Sequence, residues 1–205
     1  MQVEQLSTAS GAVIEGPLLI TPRIFGDDRG FFFESWNQQS FAAALEADGQ
    51  PIPSFVQDNH SRSSRGVLRG LHYQLQPHPQ GKLVRCVLGE IFDVAVDIRH
   101  GSPTCGHWVG ARLSAENHQQ LWVPVGFAHG FLTLSEHAEV LYKASGYWSK
   151  SCERSLRWND PDLAIAWPLD RLAGVAPLLA DKDAAAPTLA EAEVTGEGAT
   201  GEVFV

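Results

Sequence analysis

Most of this chain falls into short runs rich in apolar, β-branched and aromatic residues, in places alternating with polar ones, and broken by Gly, Pro, Asn and Asp. That pattern predicts strands, because successive side chains of a strand point to opposite faces. The runs that carry it are Leu18–Ile20, Phe31–Trp36, Phe55–His60, Val67–Gln74, Leu83–Leu88, Ile91–Ile98, His107–Leu113, Gln119–Val123, Phe127–Leu134 and Val140–Ser145. In the sixth, Phe92, Val94, Val96 and Ile98 share one face and more polar neighbours the other. Gly89-Glu90 has the composition of a two-residue hairpin turn between its flanking strands. Gly26-Asp27-Asp28-Arg29-Gly30 reads as a turn feeding the aromatic strand. One segment changes period: Asn37 can cap a helix over Gln38–Ala47, with Phe41, Leu45 and the alanines as an apolar stripe and Gly49 at its end. Many short strands around one convincing helix predict an all-β sandwich or barrel. Residues 1–10 are polar and expected to be loosely held. After Trp167-Pro168 the periodicity fades into short helical or irregular segments, so a single domain is expected over residues 1–183. Residues 184–205, rich in Ala, Glu, Gly and Thr, read as a flexible C-terminal tail.

Composition narrows the functions. A chain of 205 residues can bury one full core. Its net charge of -9 argues against a nucleic-acid partner, which needs a basic footprint. The three cysteines, Cys86, Cys105 and Cys152, are odd in number and lack C-x-x-C spacing, so a reduced, cytoplasmic setting is expected rather than a disulfide framework or zinc knuckle. No apolar run reaches the ~18 residues of a membrane span, and the first residues lack the basic-then-apolar design of a signal peptide.

Two stretches break the apolar texture with chemistry. Arg65 to Gln74, followed by Gly81-Lys82-Leu83-Val84-Arg85, sets Arg69, His72 and Lys82 into sequence that otherwise reads as sheet. Strict alternation sends Arg69 and His72 to opposite faces, but Gly70 between them can host a bulge whose extra residue returns both to one face. One reading is a barrel strand carrying a base and an arginine into a pocket; the other is an edge strand with its basic residues in water. The second stretch, Pro124-Val125-Gly126-Phe127-Ala128-His129-Gly130-Phe131, has the P-x-G-x-x-H spacing of the second motif of cupins, which are small β-barrels. The first, metal-binding cupin motif is incomplete: Tyr73-Gln74 follow His72 where a second histidine is expected, Glu90 sits in the predicted turn, and a metal would have to recruit His78.

Arg65 to Gln74, Gly81 to Cys86, Phe127 to Phe131, Leu141-Tyr142-Lys143 and Trp158-Asn159-Asp160, in that order, resemble the dTDP-4-dehydrorhamnose 3,5-epimerase family of the cupin superfamily. The likeness runs from about residue 15 to 183. It implies a cupin-type β-barrel (jelly roll), a homodimer, and a dTDP-sugar substrate handled with no cofactor and no metal. The implied reaction removes a proton beside the C4 ketone of dTDP-4-dehydro-6-deoxy-D-glucose and returns one to the opposite face. By motif, His72 is then the general base, Asp183 its orienting partner, Tyr142 the acid across the ring and Lys82 the group near the ketone oxygen. The substrate-binding residues implied are Arg29, Glu34, Gln57, Asp58, Asn59, Arg69, His129, Glu153 and Lys182.

These residue types suit the chemistry in their own right. An enolate is an oxyanion that a fixed donor stabilises, commonly by ~3–4 kcal/mol. Histidine, with an ordinary pKa of about 6.5, can take the proton near neutrality, and a phenol of about 10 stays protonated to return one. Each residue also has a plainer reading: His72 as a satisfied core histidine, Tyr142 as sheet packing, Lys82 and Arg29 as surface charges. The chain departs from the family's usual paired tyrosines with Tyr147-Trp148, and carries about four extra residues between Trp167 and Asp183. The alternatives are an epimerase of C3 or C5 alone, a metal-dependent cupin oxygenase, and a sugar-nucleotide binding barrel without catalysis.

Overall fold

The structure, a computed structural model, describes residues 1–194. The elements run β1 (Gln2–Ser7), β2 (Val13–Thr21), β3 (Phe25–Asp27), β4 (Gly30–Phe32), α1 (Gln38–Ala47), β5 (Gln57–Ser64), β6 (Leu68–Gln74), β7 (Lys82–Leu88) and β8 (Glu90–Asp97). They continue with β9 (Trp108–Ser114), β10 (Gln120–Val123), β11 (Phe127–Thr133), β12 (His137–Ala144), β13 (Glu153–Ser155), a 3-10 turn at Leu169–Leu172 and α2 (Asp181–Ala184). A six-stranded sheet in the order β1-β2-β10-β7-β12-β5 faces a five-stranded sheet in the order β13-β6-β11-β8-β9, and β3 and β4 form a separate hairpin. Every strand pair is antiparallel. This is the jelly-roll barrel of the cupin type.

Alternation explains how both sheets are sealed. Between them lie Ile14, Val84, Cys86, Ile91, Ala95, Val109, Leu113, Leu121, Phe131 and Val140, drawn from both layers. The outer face of the six-stranded sheet is closed by α1, whose Phe41 and Leu45 pack on Leu18, Ile20, Leu83 and Trp122. Burying each of those two side chains is worth roughly 1.5–3 kcal/mol. The Asn37 side chain accepts a hydrogen bond from the Ser40 amide, the predicted cap, worth about 1 kcal/mol. On the outer face of the five-stranded sheet, Leu71, Tyr73, Val94, Val96 and Leu132 are covered by Leu156, Leu163, Trp167 and Leu172 from the C-terminal segment.

The structure differs from the expectations at several places. Residues 1–10 are not merely loose, since β1 pairs along β2. Gly89-Glu90 is not a hairpin turn, because β7 and β8 belong to different sheets. Gly89 instead makes the corner between layers, at φ +73° and so close to the neighbouring chain that a Cβ would lie 2.1 Å from the His137 carbonyl oxygen. Phe31–Trp36 forms a strand only as far as Phe32, and β5 starts at Gln57 and runs on to Ser64. Residues 184–194, expected to begin the flexible tail, pack on the barrel: Ala186 is buried, the Tyr73 hydroxyl donates to the Glu193 carbonyl at 2.7 Å, and Arg154 pairs with Glu193 at 2.7 Å. Residues 195–205 of that expected tail lie outside the described residues. Among the described residues, no helix is long and apolar enough to cross a membrane.

Candidate active site

Strand β6 carries the centre of the site, and Gly70 decides what it can present. His129 on β11 pairs with His72, but Phe131 pairs with Arg69, so three steps on β6 match two on β11. The extra residue is the predicted bulge, and Gly70 sits in it at φ +124°. A Cβ there would lie 2.5 Å from the Gly130 Cα, so only glycine permits this approach of the two strands. The consequence follows the expectation: Leu68, Leu71 and Tyr73 join the outer cluster, leaving Arg69 and His72 together on the barrel's inner side.

His72 Nε2 lies 2.6 Å from Asp183 Oδ1. Asp183 arrives on the single turn of α2, more than a hundred residues later in the chain, and its Oδ2 also accepts from the Gly70 amide at 3.4 Å. Burial lowers the His72 pKa below 6.5, more than the Asp183 hydrogen bond and charge raise it, so the ring is neutral at pH 7. Burial works against the Asp183 carboxylate, but the hydrogen bond and charge of His72, with the Gly70 amide and Lys182, hold its pKa below the usual carboxylate value. A neutral imidazole braced by a carboxylate is a general base held in one orientation.

Lys82, first residue of β7, is buried. Its ammonium donates to the His72 carbonyl at 3.4 Å, and desolvation brings its pKa down to about 8 against the pull of Asp93 and Glu153. Tyr142 on β12 pairs with Val84 of β7 and Asn59 of β5 and packs against the inter-sheet cluster, which puts its phenol on the inner face. Burial raises its pKa, so it remains a proton donor. Arg69 donates to Ser63 Oγ at 3.0 Å. Glu153 on β13 accepts from Lys182 at 3.0 Å; burial opposes its charge, but Lys182 keeps its pKa below the ordinary value. His129, opposite His72, is bonded through Nε2 to Asp93 Oδ1 at 2.7 Å.

The remaining predicted residues divide. Gln57 and Asn59 share the inner face of β5 with one another, joined at 3.0 Å. Asp58 lies between them on the opposite face, paired with Lys143 at 3.0 Å, so it is not gathered with His72. Arg29 and Glu34 are not gathered there either: Arg29 stands exposed at the β3–β4 turn against Asp27, and Glu34 accepts from Asn37. Asp93 is a site residue that no sequence motif pointed to. It lies on the polar face of the Phe92-Val94-Val96-Ile98 alternation, and that face turns inward. Among the described residues, no group of three or more His, Cys, Asp or Glu side chains is placed to hold a metal ion.

A cupin barrel whose interior offers a carboxylate-backed neutral histidine, a buried lysine and a protonated phenol defines an acid–base enzyme of the isomerase class, equipped to move protons next to a carbonyl. A family model described as dTDP-4-dehydrorhamnose 3,5-epimerase matches residues 12–191, and the chain belongs to that family. The dTDP-4-dehydrorhamnose 3,5-epimerase of Pseudomonas aeruginosa is 60% identical over 185 residues, covering 90% of this chain and 97% of the relative. The dTDP-6-deoxy-D-glucose-3,5-epimerase of Legionella pneumophila Philadelphia 1, solved in complex with dTDP-4-keto-L-rhamnose, is 48% identical with a TM-score of 0.81, covering 93% of this chain and 94% of that one. A 3'-monoepimerase from Streptomyces bikiniensis in complex with dTDP-quinovose is 40% identical with a TM-score of 0.77, covering 86% of this chain and 85% of that one.

Proposed function

We propose that this protein inverts C3 and C5 of dTDP-4-dehydro-6-deoxy-D-glucose to give dTDP-4-dehydro-L-rhamnose. The observation that carries the mechanism is the 2.6 Å contact of His72 with buried Asp183 on the inner face of the barrel, where Lys82 is also placed. His72 takes the proton from the carbon next to the C4 ketone, and Asp183 steadies the imidazolium that results. Lys82 donates to the ketone oxygen as it becomes an enolate oxyanion, in a buried setting where such a donor counts most. Tyr142 returns a proton to the opposite face of the ring; His72 then releases its proton to solvent and Tyr142 regains one from it, and the sequence repeats at the second carbon. Arg69, His129, Gln57, Asn59, Glu153 and Lys182 line the way from sugar to nucleotide.

Arg29, Glu34 and Asp58 need a different setting. Arg29 rides on a hairpin that also exposes Phe25, Phe31 and Phe32, and in the homodimer this hairpin contributes Arg29, and the segment directly after it Glu34, to the nucleotide end of the partner's pocket. Asp58 acts from the outer face of β5 at the same boundary.

The test is turnover of dTDP-4-dehydro-6-deoxy-D-glucose by the purified protein, followed by proton NMR. Wild type should form the doubly inverted sugar, and His72→Ala should fold yet lose roughly 10²–10⁴-fold in rate. A folded wild type without turnover, or a fully active His72→Ala, refutes the reading. Because Lys82 serves as the electrophile, dialysis against a chelator should leave the rate unchanged; loss of activity restored by Fe or Zn would favour the oxygenase-type site instead.

A further inference from the structure

The inner face of β8 holds a group that none of the steps above uses. Asp93 is wholly inaccessible to solvent. Its Oδ1 lies within hydrogen-bond distance of His129 Nε2, at 2.7 Å, while Oδ2 is buried without a hydrogen-bond partner among the described residues. Leaving a carboxylate oxygen in that state is costly, and proteins keep such atoms where a charge or a reaction needs them. The register explains what surrounds it: Asp93 pairs with Phe131, one step along the inner face from His129, and Phe131 pairs in turn with Arg69. Across the barrel interior sits buried Lys82, whose ammonium has one hydrogen bond among the described residues, the long one to the His72 carbonyl.

We propose that Asp93 is the positioning residue of the carbonyl side of the site, orienting His129 through Oδ1 and serving as the buried counter-charge that keeps Lys82 an ammonium ion. The proposal rests on the epimerase reading for its catalytic consequence but not for its geometry. Two carboxylates then have matched tasks: Asp183 holds the base, and Asp93 holds the electrophile and the histidine opposite that base. The groups acting on Lys82 are Asp93 of β8 and Glu153 of β13, which favour its charge, and Lys182 of α2, which opposes it. His72 of β6 feels Lys82 as a cation in the same way, while Tyr142 on neighbouring β12 is uncharged. Asp93 is the stronger of the two favourable groups. Glu153 is in addition engaged by Lys182, so it does not replace Asp93.

Sign follows from role. Lys82 must be protonated to donate to the oxyanion, so activity falls as pH rises through its pKa. Removing the Asp93 charge lowers that pKa, and the alkaline limb of the pH profile moves to lower pH.

The experiment has one arm that needs no turnover. Lysine Nζ resonances are followed by NMR as pH is raised, with Lys82→Arg identifying the Lys82 signal. Wild-type Lys82 should titrate near 8, and Asp93→Asn, which keeps the shape and loses the charge, should lower it by about 1–3 units. In the wild type, histidine nitrogen shifts should show the proton of His129 on Nε2. An unchanged Lys82 titration in folded Asp93→Asn, or wild-type Lys82 neutral at pH 7, or His129 protonated on Nδ1 alone, overturns the proposal. The wild-type readings decide it even if the variant fails to fold. In the kinetic arm, Asp93→Asn should shift the alkaline limb of kcat downward by the same 1–3 units or so, with KM little changed. A loss that is uniform across pH would mark Asp93 as structural only. Absence of epimerisation in wild type would refute the epimerase reading while leaving the titration result standing.

Discussion

The imidazole of His72 and the carboxylate of Asp183 each set the other's proton affinity, and this coupling fixes the pH dependence of the first step. His72 must be neutral to accept a proton, and its pKa lies below 6.5. The rate kcat/KM should therefore rise with pH through a point below 6.5 and level off above it. Asp183 raises the His72 pKa through its hydrogen bond and charge, so Asp183→Asn should move that acid limb further down. The same change should lower the plateau, by less than the loss in His72→Ala, because the ring loses its orientation and part of its basicity but is still present to take the proton. A limb that moved upward in Asp183→Asn would show that the pair does not work this way.

At the scale of the element, the bulge in β6 is what turns a strand into a site. A Cβ at residue 70 meets the Gly130 backbone at 2.5 Å, at a φ of +124° that side-chain-bearing residues avoid. Gly70→Ala should then cost roughly 2–4 kcal/mol of stability, from backbone strain and overpacking. It should also slow turnover by moving Arg69 and His72 relative to each other. A denaturation midpoint equal to wild type would contradict this. This element was legible in the sequence, because Arg69 and His72, an odd interval apart, share a face only if the strand gains a residue, and Gly70 is where it can. So were α1 and its Asn37 cap, which depend only on neighbours in the chain. Gly89 was not: a corner between sheets and a hairpin turn both need a glycine at positive φ, and only the pairing of β7 with β12 and of β8 with β11 separates them. Asp93 was hidden for a related reason. Alternation shows that two faces differ but not which one is inside, and here the C-terminal segment buries the apolar face of β8 from without. The packing of residues 184–194 was likewise invisible, since it rests on scattered apolar residues, Leu189, Ala192 and Val194 on the outer cluster, and on contacts such as Glu193 with Tyr73 and Arg154, rather than on any periodic pattern.

At the scale of the whole molecule, the site joins groups from both sheets and from α2, and the proposed dimer adds the β3–β4 hairpin of a second copy. Mixing His72→Ala with Arg29→Ala chains by unfolding and refolding them together should restore activity at low substrate, because one of the two sites in each mixed dimer regains both residues. Activity no higher than the sum of the parents would place Arg29 outside the partner's pocket. The central claim is that His72 and Tyr142 handle protons on opposite faces of one sugar ring. Its most direct test is turnover in deuterium oxide, with position and configuration read by proton NMR and mass. The account predicts one deuteron from solvent at C3 and one at C5, both centres inverted, and in Tyr142→Phe an exchange at the original configuration that outlasts product formation. A single inverted centre in the wild type would make the protein a monoepimerase, and product formed without solvent label would contradict the two-face mechanism itself.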